Sequence, residues 1–145
     1  MLNNKLILFI IILIITTSLF AQLKEMQIKG EPKKMTNEIV GKRDANGNFC
    51  AAIKVVSNME GLRYDSYNGV VEVESNPGED IVYLSSNERV MLVYNTGYNP
   101  KKVILTDQGI DLDPKSMWKI TIVGKDDIQS VSSKNVGRLN VTIKP

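Results

Sequence analysis

Three short stretches of this chain carry side chains of the types that chemistry uses. The first is Asp44-Ala45-Asn46-Gly47-Asn48, whose alternating oxygen donors resemble the start of a calcium loop. An EF-hand loop needs glycine at its sixth position and glutamate at its twelfth. Here those positions are Phe49 and Val55, so the preferred reading is a tight hairpin turn, with Asn46-Gly47 supplying the positive φ values. The second stretch holds Asp107, Asp111 and Asp113. On one strand face, Asp111 and Asp113 would repel unless a cation or a lysine stood between them. A solvated loop before Pro114 is preferred, with a metal site as the alternative. The third is Arg63-Tyr64-Asp65-Ser66-Tyr67-Asn68. Tyr64 and Tyr67, flanked by Arg63 and Asn68, have the composition of a sugar-stacking platform, provided both rings are exposed on one face. Packing at the edge of a core is the competing reading for these rings, and core is the preferred reading for Trp118.

Other chemistry is excluded by what is missing. The chain has no histidine, so neither a Ser-His-Asp triad nor a His-ligated zinc site can form. Its one cysteine, Cys50, cannot make an internal disulfide, and its apolar surroundings predict a buried small hydrophobe. The 18 basic and 16 acidic residues nearly cancel and are interspersed, unlike a nucleic-acid-binding face. No catalytic residue, metal or cofactor is therefore expected, and an enzyme is the least favoured class.

The elements that must position these residues follow from the patterning. Lys5 precedes an unbroken apolar run over residues 6–15, which is shorter than the roughly 20 residues needed to span a bilayer. Small and polar residues then lead to Ala21-Gln22, and residues 1–21 read as a secretory signal peptide, with an uncleaved anchor as the alternative. The ending Leu19-Phe20-Ala21-Gln22 resembles bacterial signal peptides. No cysteine stands at the end of the run, which disfavours a lipoprotein anchor at this site. The predicted address is outside the cytoplasm: periplasmic, outer-membrane-associated or extracellular.

Residues 22–37 are polar and contain Gly30 and Pro32, so they read as a linker. From residue 38 to 124, short apolar runs alternate with turn chemistry every eight to twelve residues, the spacing of an all-β sandwich. Strands are predicted from Ile39-Val40-Gly41, over residues 49–57, 70–74, 81–84, 89–94 and 102–106, and from Trp118 to Ile122. Val71 and Val73 are expected to face one way, Glu72 and Glu74 the other. Residues 58–67 read as a polar excursion. No long apolar period of 3.6 residues occurs, so helix is minor. The fold expected is a small antiparallel β-sandwich of transthyretin or immunoglobulin type.

Two families resemble this order. Residues 41–48 followed by Ala51-Ala52-Ile53-Lys54-Val55 resemble the opening of carboxypeptidase-regulatory-like domains. Pro77-Gly78, the strand over 89–94 and Gly97-Tyr98 are similar to their closing half, and the Gly-Tyr pair is also similar to PEGA domains. The piece nearest the PEGA tetrapeptide is Asn76-Pro77-Gly78-Glu79. The resemblance covers residues 39–106 and implies a non-catalytic sandwich found beside envelope proteins, transporters and peptidases. Residues 125–135 read as a polar linker, and residues 137–145 resemble the start of a second PEGA-type repeat, with a last strand of the same domain as the alternative. The expected partners are an envelope protein, met through loops or an open strand edge, or a polysaccharide. No nucleic acid is expected, and membrane contact only through the transient signal peptide.

Overall fold

The computed structural model describes residues 23–125. The signal-peptide reading of residues 1–21 lies outside them, as does the second-repeat reading of the tail. The described chain is all β. In order its strands are β1 (Met26–Ile28), β2 (Lys33–Lys34), β3 (Ala51–Ser57), β4 (Arg63–Ser66), β5 (Val70–Asn76), β6 (Glu79–Leu84), β7 (Val90–Tyr94), β8 (Lys101–Ile104) and β9 (Met117–Gly124). One 3₁₀ turn, Thr106–Gln108, interrupts the connection from β8 to β9.

The strands form two open sheets. The larger runs β1-β9-β3-β6-β5, with β2 also on β9, and the smaller runs β4-β7-β8. Strand β3 lies near the middle of the large sheet and is buried on both faces, which is why its sequence reads as an almost unbroken apolar run. Ile53, Val82 and Ile120 of the large sheet meet Met91, Val93 and Val103 of the small one in a single core. Each such side chain contributes roughly 1.5–3 kcal/mol of transfer free energy. On the other face of the large sheet, Val40, Cys50, Ala52 and Met117 form a second, smaller cluster.

Several expectations are corrected. The sheet is not wholly antiparallel: β3 and β9 pair in parallel, Ala52 opposite Met117 through Ser57 opposite Ile122. A parallel pair needs a long crossover, and here the chain from β4 to β8, with the entire small sheet in it, supplies it. Residues 22–37 are not merely a linker, since β1 and β2 pair with β9 and Met26 is only 3% exposed. Backbone pairing, not apolar patterning, makes those strands, so a polar sequence did not betray them. Ile39 and Val40 form no strand. Val40 caps the smaller cluster while Ile39 is exposed, and the Val40 amide donates to the Lys115 carbonyl at 3.0 Å. The polar excursion contains β4. In β5 the pairing slips between Val70 and Glu72, so Val71 packs on the outer cluster with Ile81 and Tyr83. Val73 instead pairs opposite the inward-facing Val82. A one-residue bulge parts Val71 from Val73, while Glu72 and Glu74 share one face as expected and both pair with Lys42.

Strand direction sorts the connections between two ends. The segment before β3, the β4–β5 and β6–β7 turns and the entry to β9 gather at the Phe49 end. The β3–β4 loop, the β5–β6 hairpin and the β7–β8 turn gather at the opposite, Met59 end.

Candidate functional site

The four residues read as a sugar platform are not brought together. In β4, alternation turns Tyr64 toward the core and leaves Arg63 exposed, opposite Tyr94 at the Met59 end. The Tyr64 hydroxyl donates to Asp80 Oδ2 at 2.6 Å, joining the two sheets. Burial first, and the Asp80 carboxylate second, push its pKa well up. Tyr67 is 83% exposed and sits with Asn68 in the β4–β5 turn at the Phe49 end. Trp118 packs partly against the main core, and its Nε1 donates to the Asp111 carbonyl at 2.8 Å. Asp113 pairs with Lys34 at 3.1 Å. Among the described residues no group of three or more His, Cys, Asp and Glu side chains has the arrangement of a metal site. Cys50 is fully buried, and burial, then the nearby Asp44 charge, raises its thiol pKa. Such a thiol is inert.

What the fold does assemble is a polar cleft of about 790 Å³ at the Phe49 end. One wall is the turn before β3. Asp44 Oδ1 accepts from the amides of Asn46 and Asn48, both at 2.9 Å, and Gly47 takes φ 82°. The carboxylate is thereby occupied in holding the turn, as expected for a turn-forming Asp. Arg43 and Asn48 line this wall, and the Arg43 guanidinium donates to the Gly47 carbonyl. The facing wall is the β6–β7 turn, with Ser85, Ser86 and Asn87. Asn87 adopts φ 65°, uncommon for a residue other than glycine, and its amide donates to the Leu112 carbonyl at 2.9 Å. Asn68 enters from the β4–β5 turn, and Pro114 from the approach to β9.

Glu88 ties two of these loops together. It is 4% exposed, yet its carboxylate accepts from the amides of Asn68 (2.8 Å), Arg89 (2.8 Å) and Val90 (3.2 Å). Burial alone would raise its pKa. The three backbone donors outweigh that effect and hold it below the ordinary carboxylate value. Asn68 is thus fixed to the β6–β7 turn through its own backbone.

Phe49 lies between two cations. The Arg43 guanidinium carbon is 3.6 Å from the ring centroid and the Lys115 Nζ 3.9 Å. Two like charges this close to one centroid must occupy opposite faces, so neither face of Phe49 is free for stacking. Lys115 reaches its place from a left-handed backbone conformation, φ 67°. Among the described residues, the carboxamides of Asn46, Asn68 and Asn87 and the hydroxyls of Ser85 and Ser86 make no hydrogen bond. The cleft thus presents side-chain donors and acceptors that have no partner among the described residues, carried on loops whose backbone is held. A second cleft of about 620 Å³ at the Met59 end includes Met59, Leu62 and the Pro77-Gly78 turn.

Of the four residues read as a sugar platform only Asn68 lines the Phe49-end cleft, while the Asp44–Asn48 stretch, read as a turn in preference to a calcium loop, forms one of its walls. Asn46, Asn48 and Ser85 to Asn87 were legible as turn residues but not as a site. In comparisons with family models, curated proteins and solved structures, the chain matches none.

Proposed function

We propose that this chain is an exported, non-catalytic module of a bacterial envelope, related to PEGA and carboxypeptidase-regulatory-like β-sandwiches, which works by binding. The observation that carries the reading is the Phe49-end cleft: three loops converge there, anchored by Glu88 and Asp44, with the carboxamides of Asn46, Asn68 and Asn87 unengaged among the described residues. Loops on a rigid two-sheet frame are the usual carriers of recognition. The two-sheet core and the turns at Asn46-Gly47 and Pro77-Gly78 are consistent with a transthyretin- or immunoglobulin-type sandwich. The apolar run over residues 6–15 and Ala21 support export. The free edges β5 and β8 offer backbone groups through which a protein partner would add a strand.

Expression of the full chain in a bacterium, followed by cell fractionation and N-terminal sequencing, tests the address. Recovery outside the cytoplasm with Gln22 as first residue is expected, and retention in the cytosol with an intact N-terminus refutes export. Co-sedimentation of the purified protein with isolated envelopes tests binding. Pelleting that weakens when the cleft is altered is expected, and absence of pelleting refutes the module reading.

A further inference from the structure

We infer that the Phe49-end cleft binds a hydroxyl-rich saccharide, gripped by the carboxamides of Asn46, Asn68 and Asn87 and the hydroxyls of Ser85 and Ser86. This rests on the envelope-binding reading above and names the ligand class of that same cleft. Each sugar hydroxyl both donates and accepts, and so do carboxamides and serine hydroxyls, which match it without a net charge. These five side chains have no partner among the described residues, while the backbone beneath them is fixed by Glu88, Asp44 and the Asn87–Leu112 bond. Fixed loops reduce the ordering cost of binding.

The same inventory disfavours other ligands. The cleft's cation, Arg43, is engaged with Phe49 and the Gly47 carbonyl, and its one carboxylate, Asp44, with its own turn. A phosphate would find no unengaged cation in the lining, and charge-assisted pairs are what phosphate sites use. An apolar peptide anchor would find only Pro114 and a ring already covered on both faces. Tyr67, the sequence neighbour of Asn68, is 83% exposed and does not line the cleft, but its open ring in the same turn is of a kind suited to the C–H side of a sugar ring. It replaces the Tyr64–Tyr67 pair with a single ring beside a field of amides.

The test uses the purified full chain and envelope polysaccharide in three forms: untreated envelope, envelope polysaccharide freed of protein with proteinase K, and the same material after periodate cleavage of its vicinal diols and borohydride reduction. Binding to the first two and loss on the third is expected. The variant carrying Asn46→Ala, Asn68→Ala and Asn87→Gly should weaken binding by about tenfold or more. Glycine at position 87 keeps the left-handed backbone available. The urea midpoint of that variant should match the parent; if it does not, Asn68→Ala alone and the periodate arm carry the test. Binding that survives periodate, or is indifferent to Asn68→Ala, overturns the saccharide assignment. Binding to envelopes that disappears with proteinase K also overturns it but leaves the module reading standing, with a protein as partner. No binding to untreated envelopes overturns both.

Discussion

The two ends of the molecule use polar side chains in opposite ways. At the Met59 end they are turned inward. Tyr64 donates to Asp80, the Asn95 carboxamide donates to the Glu60 carbonyl at 2.7 Å, and the Ser57 hydroxyl accepts from the Met59 amide at 3.0 Å. Met59 and Leu62 pack on the core beside them. At the Phe49 end the holding is done by two carboxylates acting on backbone amides, Asp44 and Glu88, and by two cations on one ring. That arrangement leaves the side chains of Asn46, Asn68, Asn87, Ser85 and Ser86 without a partner among the described residues, while the Asn48 carboxamide donates to Asp44. The lesson is that a loop cluster can be rigid and still offer its amides outward, provided something else fixes the backbone.

The contrast can be broken most severely at Glu88. Replacing it with alanine strands three backbone donors, those of Asn68 in the β4–β5 turn, Arg89 in the β6–β7 turn and Val90 at the start of β7. The expected loss is about 3 kcal/mol, read from urea denaturation, together with loss of envelope binding. Glu88→Gln sharpens the cause. One amide oxygen cannot serve donors that reach two carboxylate oxygens, so a cost of about 2 kcal/mol at pH 7 is expected. The sign with pH follows from the depressed folded pKa. Glu88 contributes stability that is present above its ordinary value of 4.5 and is lost as pH falls through the folded value. The gap between parent and Glu88→Gln should therefore narrow between pH 5 and pH 3; a gap constant with pH would remove the carboxylate from the account.

At the Met59 end, Tyr64→Phe removes one bond between the sheets and should lower stability by about 1 kcal/mol without altering envelope binding. A binding defect in that variant would return Tyr64 to the ligand surface and erase the distinction between the ends. The smallest effect on stability belongs to Asn46→Ala or Asn68→Ala, within about 0.5 kcal/mol in the same urea measurement, because neither carboxamide has an internal partner.

The turn chemistry was readable from sequence because it is local. Asn46-Gly47 and Pro77-Gly78 carry their own φ requirements, and Gly47 and Gly78 adopt them. The central strand β3 was readable because burial on both faces leaves a nearly continuous apolar run, and β6 and β7 because their buried residues alternate with half-buried ones that are largely apolar too. What escaped depends on pairing. β1 and β2 are strands because β9 needs an edge partner, and the bulge at Val71 is set by the register with β6. The missed strand β4 had the largest consequence. In a meander, successive turns fall at alternating ends, so omitting one strand misassigns every later turn. With β4 counted, the turns at residues 44–48, 66–69 and 85–88 all fall at one end, and their asparagines and serines become a site. Without it they are only scattered polar turns. The platform of Tyr64 and Tyr67 failed for a related reason: an odd separation inside a strand, then a turn, sends the two rings to different surroundings.

Strand β9 carries one more implication. It is the last described element, yet it lies between β1 and β3 and is the only described partner of β1 and β2. A chain emerging from its N-terminus can close the hairpins from β3 to β8 as they appear, but it cannot finish the large sheet until Gly124 is out. Completion of the large sheet is thus governed by contacts between segments about 90 residues apart, the kind of non-local pairing that slows folding. Until then the partly made sheet exposes the β3 edge that β9 will cover.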